Sequence, residues 1–405
     1  MFRLVLLTLF VAPLVCAQIA SDGDLKALYD GQKWAALHDE LQKTNAHNLY
    51  RGAVAVVFHE DSRRAESLLQ SVIKAEPKSE DAYQAYEWLS HLYLYSGRYR
   101  SFVSIMEARW TAFPQRPGEK QEREEAAGFR GLPDQVTERV RPSTLRHEDK
   151  SIFIPLTVNG APATYFFDTG AWLSSVSESE AKRLGLKFGG ASGSTATVTN
   201  RIGFRTAVAE KLIVGEVRLK NVSFAVFPDD QEPWSLVPPG RRGLLGMPII
   251  LAFRTLRWAP DGTVRIGETP AALNVHTANL IFDNDHLAVT VRFQGRKALA
   301  AVDTGAEGTD LFRDFAVQFP SVMESGKKGS TEIHGVGGKE TYESVTLPEV
   351  SFELGGIQAV LHSPEVLMNR SIRSYIGNFG LDLFQQGRAF KFDFTAMRLE
   401  LGGAD

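Results

Sequence analysis

The chain contains Phe166-Phe167-Asp168-Thr169-Gly170-Ala171 and, 135 residues later, Ala301-Val302-Asp303-Thr304-Gly305-Ala306. Each stretch joins an apolar pair, typical of a buried strand, to Asp-Thr-Gly, which is typical of a tight turn. A single Asp-Thr-Gly would be an ordinary turn. Two copies with similar flanks indicate that one structural unit occurs twice.

Other landmarks recur at matching distances from both aspartates. A hairpin glycine (Gly160, Gly295) lies eight residues before each Asp, and a residue with a hydroxyl group (Ser174, Thr309) lies six residues after it. Further on come a second glycine (Gly203, Gly338), a leucine (Leu212, Leu347) and a late apolar-Gly motif ending in Gly246 or Gly380. Agreement over this many positions is not chance, so the second half of the chain is an internal duplication.

From residue 151 onward the chain consists of short β-branched and aromatic runs separated by Gly, Asn-Gly and Asp-Gly. This pattern is typical of all-β structure. The duplication divides it into two lobes, which we place at residues 151–270 and 271–405.

Composition limits the classes of protein to consider. The 405 residues include 45 Lys+Arg and 48 Asp+Glu, for a net charge of −3, with 43% hydrophobic and 23% charged residues. These values are those of a globular protein of two or three domains. Because no basic excess is available to neutralise phosphates, we expect no nucleic-acid partner.

The N-terminus resembles an export signal. Arg3 precedes an apolar stretch at residues 4–15, and Ala17 ends a small-residue cleavage site. We therefore predict a signal peptide at residues 1–17 and a periplasmic or secreted protein. A lipoprotein signal on Cys16 fits less well, because Pro13 and Val15 replace the leucine and small residue usual there.

Later segments are too short to cross a bilayer, so we expect no membrane span. Cys16 is the only cysteine, and cleavage after Ala17 would leave a mature chain without disulfides or thiol chemistry. The nine histidines are scattered without metal-ligand spacing. We expect no metal and no cofactor.

Residues 18–114 show helical periodicity, as in the apolar series Ala65, Leu68, Leu69, Val72 and Ile73. Similar stretches open at Gly31 and Gly97, 66 residues apart, close to twice a 34-residue period. The region therefore resembles degenerate tetratricopeptide repeats, a helical-hairpin module that could bind a protein partner. Residues 115–150 lose this periodicity and contain a charged run, so we predict a linker there.

The duplicated region resembles the aspartic proteases, specifically the retropepsin-like group, whose unit carries Asp-Thr-Gly-Ala, a glycine-containing flap and a late apolar-Gly motif. The resemblance implies two lobes that face each other across a pseudo-two-fold axis. Viral enzymes of this group use two chains, whereas this chain holds both units. The resemblance therefore implies that the catalytic unit is a monomer.

Within this resemblance, Asp168 and Asp303 are the expected catalytic pair. Two carboxylates that share one proton supply both the base that takes a proton from water and the acid that protonates a carbonyl oxygen. The residues expected to support the two loops are Thr169, Gly170, Ala171, Thr304, Gly305 and Ala306. The threonines would hydrogen-bond across the axis, and the glycines would allow close backbone approach.

The flap candidates are Gly203 in the first unit and Gly335, Gly337 and Gly338 in the second. The units differ after the late glycine, where the first has Met247-Pro248 and the second Leu381-Asp382. We therefore expect the lobes to be anchored differently.

Ala171 and Ala306 stand where pepsin-like enzymes commonly carry Ser or Thr. Alanine cannot donate a hydrogen bond to the carboxylates and stabilise their charged forms. On this basis the sequence predicts activity that extends into mildly acidic or near-neutral pH.

The sequence thus favours an exported aspartic endopeptidase that hydrolyses peptide or protein substrates. The alternative is a catalytically silent exported binding or scaffold protein, in which the protease fold and the helical module recognise partners. Loss of either Asp would favour the alternative, and both are present.

Overall fold

The computed structural model describes residues 20–147, 152–196, 201–283, 286–335 and 338–402. The predicted signal peptide at residues 1–17 lies outside these ranges. No helix in the described ranges has the length and apolar character needed to cross a membrane.

The described chain begins with a helical region. Its helices are α1 (Asp22–Asp30), α2 (Trp34–Leu41), α3 (Asn48–Val57), α4 (Ser62–Ala75), α5 (Glu80–Tyr95), α6 (Tyr99–Ala112) and α7 (Glu119–Ala127). Side-chain caps begin several of them: Ser21 starts α1, Asp61 starts α4 and Ser79 starts α5. Consecutive helices from α3 to α6 contact each other. The tetratricopeptide resemblance itself stays a prediction.

The first lobe follows. Its elements are β1 (Val136–Arg139), β2 (Ser143–Arg146), β3 (Phe153–Val158), β4 (Ala161–Phe167), β5 (Ser175–Ser177), α8 (Glu178–Arg183), β6 (Lys187–Ala196), β7 (Arg201–Val214), β8 (Val217–Phe227), β9 (Gly243–Leu245), α9 (Met247–Ala252), β10 (Thr255–Trp258) and β11 (Thr263–Ile266). Eight of these strands form one sheet in the order β1-β8-β5-β9-β4-β3-β7-β6.

The second lobe repeats much of this plan. Its elements are β12 (Leu280–Asp283), β13 (His286–Phe293), β14 (Arg296–Val302), β15 (Asp310–Phe312), α10 (Arg313–Gln318), β16 (Lys327–Gly335), β17 (Gly338–Thr346), β18 (Glu349–Leu354), β19 (Ile357–His362), β20 (Glu365–Leu367), β21 (Gly377–Phe379), α11 (Leu381–Phe384), β22 (Phe390–Asp393) and β23 (Arg398–Leu401). Its sheet runs β16-β17-β20-β15-β21-β14-β13-β18-β19, with β12 paired to β13.

Strand pairing beside the two aspartates is alike in the two lobes. In the first lobe β4 pairs in parallel with β9, with Phe166 opposite Leu244. In the second, β14 pairs in parallel with β21, with Ala301 opposite Asn378. A third sheet, β2-β11-β10-β22-β23, takes strands from both lobes and joins them through the β10–β22 pair. These features confirm the predicted fold class, a helical module followed by a two-lobed all-β region.

The segment at residues 115–150, expected to be a linker, contains regular secondary structure, so that expectation was wrong. It includes α7, β1, which pairs with β8, and β2, which pairs with β11. Periodicity missed these elements because each strand has only four residues and α7 buries only Ala126. Tertiary contacts stabilise them instead: Glu122 in α7 accepts hydrogen bonds from Arg109 and Trp110.

The helical region contacts the second lobe through a buried aromatic cluster. The Phe282 ring lies 4.9 Å from the Tyr95 ring and 5.6 Å from the His59 ring, measured between centroids. His59 Nδ1 lies 3.1 Å from the Phe394 carbonyl oxygen, and Gln32 donates to Asp283 at 3.3 Å. The helices are therefore anchored on the second lobe by packing as well as by hydrogen bonds.

We expect Phe282→Ala to lower the free energy of unfolding by about 3–5 kcal/mol, because it leaves a cavity between the helices and the second lobe. Urea unfolding followed by tryptophan fluorescence measures the loss. Leu236→Ala is the control, because that side chain is 76% exposed, and it should change stability by less than about 0.5 kcal/mol. A loss below about 1 kcal/mol for Phe282→Ala would contradict this anchoring role.

Candidate active site

The two Asp-Thr-Gly loops begin where the central strands β4 and β14 end. The backbone N–H of Asp168 donates to the Leu245 carbonyl at 3.0 Å, and that of Asp303 donates to the Phe379 carbonyl at 3.0 Å. Each loop is therefore held by the strand that runs beside its own, β9 or β21. The pairing places each aspartate at the same point of its lobe.

Crossed hydrogen bonds between the threonines join the loops. The Thr304 hydroxyl accepts from the Thr169 N–H at 3.1 Å and donates to the Phe167 carbonyl at 2.7 Å. In the mirror arrangement, the Thr169 hydroxyl accepts from the Thr304 N–H at 3.0 Å and donates to the Val302 carbonyl at 2.9 Å. Both threonines are buried. Four bonds without access to water thus fix one lobe against the other.

The glycines of the motif allow the carboxyl groups to approach each other. A Cβ added to Gly170 would lie 2.7 Å from Asp303 Oδ1, and one added to Gly305 would lie 2.6 Å from Asp168 Oδ1. Each glycine N–H also donates to its own aspartate, at 2.9 Å in the first loop and 2.8 Å in the second. Any larger residue would displace the opposite carboxylate.

The hydroxyls noted six residues after each Asp hold the late glycines. Ser174 Oγ accepts from the Gly246 N–H, and Thr309 Oγ1 accepts from the Gly380 N–H, both at 2.9 Å. In the second lobe, Thr309 Oγ1 also donates to Asp382 at 2.6 Å. The side chain of Pro248 has no acceptor to offer at the corresponding place, so the two lobes are anchored differently.

The carboxyl groups of Asp168 and Asp303 are half-buried and hydrogen-bonded to each other. Burial first, and then the neighbouring charge of Asp303, raise the pKa of Asp168 well above its usual range. Hydrogen bonds from the N–H groups of Gly170 and Ala171 act in the opposite direction but are outweighed. The arrangement therefore holds a proton on a carboxyl group at pH values where an exposed aspartate would be charged.

One contact was not predicted from the sequence. Asn378 Nδ2 donates to Asp303 Oδ2 at 2.8 Å, whereas the equivalent position beside the first Asp loop is Leu244. The signal that could have found it is the late motif itself, Leu-Leu-Gly in one unit and Asn-Phe-Gly in the other. An amide side chain in the strand that pairs with the aspartate strand can hydrogen-bond to the carboxyl group of that aspartate.

The flap candidates lie on a long hairpin in each lobe. Gly203 is in β7 opposite Ser194 of β6, and Gly335 pairs with Gly338 where β16 and β17 meet. Gly337 lies outside the described residues. The first hairpin contacts α7, because Ser194 Oγ donates to Glu124 at 3.3 Å. The sequence did not predict this contact between the first hairpin and the helical region.

Comparison with known proteins supports the family resemblance. Residues 154–249 match the family model described as aspartyl protease. This segment runs from β3 into α9, so the first lobe has the sequence pattern of that family and the predicted resemblance is confirmed. A search of curated proteins found no match.

Among solved structures, the chain is similar to a retropepsin-like aspartic protease from Rickettsia conorii. The sequence identity is 20% and the TM-score is 0.23, over 32% of this chain and 93% of that chain.

We expect Thr304→Val to lower the free energy of unfolding by about 2–4 kcal/mol, because the Thr169 N–H and the Phe167 carbonyl would stay buried without a partner. Thr304→Ser keeps the hydroxyl and should lose only about 1 kcal/mol. Urea unfolding measures both. Thr169→Val breaks the mirror-image bonds and should match Thr304→Val; stability within about 0.5 kcal/mol of wild type for both valine variants would contradict the joining role.

Proposed function

We propose that this chain is an aspartic endopeptidase in which Asp168 and Asp303 activate water for peptide hydrolysis. The single observation that carries the proposal is the hydrogen-bonded pairing of two half-buried carboxyl groups on loops joined by crossed threonine bonds. The match of residues 154–249 to the aspartyl protease family supports it. The proposed substrate is a peptide or protein.

The chemistry follows from one proton on two carboxyl groups. The charged carboxylate takes a proton from water while the water oxygen attacks the peptide carbonyl carbon, and the protonated carboxyl donates to the carbonyl oxygen. In the second step the proton taken from water passes to the leaving nitrogen as the C–N bond breaks. The other carboxyl recovers its proton from the diol, so the dyad returns to its first state.

The alternative is an exported binding protein with the same fold. In this alternative the protease fold and the helical module would recognise partners without cleaving them. This alternative predicts no hydrolysis although both aspartates are present. Peptide-library cleavage therefore separates the two proposals. Export itself rests on residues 1–17 and stays a prediction.

We expect Asp168→Asn and Asp303→Asn each to abolish hydrolysis, with a loss of several orders of magnitude, because either change removes the shared proton. The measurement is cleavage of a random peptide library at several pH values, followed by kcat/KM on the best peptide. Asp230→Asn makes the same chemical change at an exposed position and should keep wild-type activity. A dyad variant that retains more than about a tenth of the wild-type rate would exclude this mechanism.

Because one chain supplies both loops, we expect specific activity to stay constant on dilution. The assay is kcat/KM over a hundredfold range of enzyme concentration, with the oligomeric state followed by light scattering. Activity that falls in step with dissociation of a dimer would show that the working pair of aspartates comes from two chains.

A further inference from the structure

The surroundings of the two aspartates differ at one position. Asp303 accepts hydrogen bonds on both carboxylate oxygens from its own lobe, from the Gly305 N–H at 2.8 Å and from Asn378 Nδ2 at 2.8 Å. Asp168 accepts from backbone groups, the Gly170 N–H at 2.9 Å and the Ala171 N–H. The position equivalent to Asn378 in its lobe is Leu244, whose side chain has no donor.

We propose that Asn378 determines which member of the pair is charged, holding Asp303 as the carboxylate base and leaving the proton on Asp168. Asn378 is thus a positioning residue that acts through Asp303. The assignment of roles rests on the proposed function, whereas the charge assignment itself can be tested without hydrolysis.

The physical reason is that an ionised carboxylate only accepts hydrogen bonds, so donors on both oxygens stabilise its charged form. Burial and the adjacent carboxyl charge raise the pKa of Asp168, so the pair keeps one proton, and the extra donor favours the charge on Asp303. An amide does not titrate, so Asn378 exerts this effect at every pH. Ala171 and Ala306, which follow the motif glycines, have no hydroxyl group. Their side chains therefore do not compete with Asn378 as donors to the carboxylates.

Asn378 is held in place by its strand. In β21 it lies between Ala301 of β14 and Asp310 of β15. The position is internal to the sheet, so its backbone is fixed by pairing on both sides. The amide can therefore direct its donor to one carboxylate oxygen without a large entropic cost.

Other charged groups around this site must be separated from the effect. Asp168 faces Asp303 from the first lobe, and Asp310 lies opposite Asn378 on the neighbouring strand. Burial raises the pKa of Asp310 to about 6. The charged side chains that act on this carboxyl are those of Arg370, Glu365, Asp382 and Asp303. Because Asp310 titrates within the expected working range, the test includes Asp310→Asn.

The first test is the pH profile of kcat/KM on a peptide without titrating groups. Asn378→Leu copies the first lobe and removes the amide donor to Asp303. We expect it to move the acid limb up by about one pH unit, which corresponds to a tenfold less favourable ionisation of the base. Leu244→Asn adds a donor beside Asp168 and should instead move the basic limb down. In Asp310→Asn, the further change Asn378→Leu should still produce the upward shift.

The matched control uses the internal duplication. In the double variant Leu244→Asn/Asn378→Leu, the donor is moved to the other lobe, so the acid limb should return to within about 0.3 pH units of wild type. The roles of the two aspartates would then be exchanged. A merely structural role of Asn378 predicts no such recovery. Thermal unfolding of every variant shows whether it is folded.

The second test does not depend on activity. Selective ¹³C labelling of aspartate carboxyls allows NMR titration of the dyad, with Asp168→Asn and Asp303→Asn assigning the two resonances. At pH values between the acid and basic limbs of the activity profile, the resonance of the charged carboxylate should belong to Asp303 in the wild type and to Asp168 in the double variant. Failure to cleave any peptide would refute the proposed function, whereas identical titrations of wild type and Asn378→Leu would overturn the role of Asn378.

Discussion

Two adjacent, half-buried carboxyl groups cannot both be charged without an electrostatic penalty, and the rest of the structure keeps them in that position. Glycine follows each motif threonine because a Cβ there would meet the opposite carboxylate. The threonine bonds join the lobes without water, and β9 and β21 hold the ends of the aspartate strands. The penalty is reduced when one proton serves both groups, and a shared proton is also what the hydrolysis that we propose would use.

Symmetry and asymmetry have separate purposes in this fold. Both lobes share the paired strands, the crossed threonines and the hydroxyls that hold the late glycines. These shared features bring the two aspartates together. The differences concern charge: Asn378 contacts Asp303 where the first lobe has Leu244, and Asp382 anchors Thr309. A pair related by perfect symmetry would have no preferred site for its proton. In our proposal, the Asn378–Asp303 hydrogen bond provides that preference.

The helical region is part of the same packed structure as the lobes. Phe282 of the second lobe packs against Tyr95 and His59, and α7 contacts the first hairpin through Glu124 and Ser194. Burial of these rings stabilises the association without requiring a long apolar helix face. One consequence is that the hairpin with Gly203 touches a helix, so its conformation depends on the helical region.

Periodicity and motif spacing are local properties of the chain, so they were enough to predict two similar units, their Asp-Thr-Gly turns and the change from helices to strands. It did not reveal α7, β1 and β2 in the segment predicted to be a linker, since short elements with little buried surface are stabilised by contacts made after folding. Nor did it assign a role to Asn378, which lies 75 residues from Asp303. Only the parallel pairing of β14 with β21 makes them neighbours, and that register is a property of the tertiary structure.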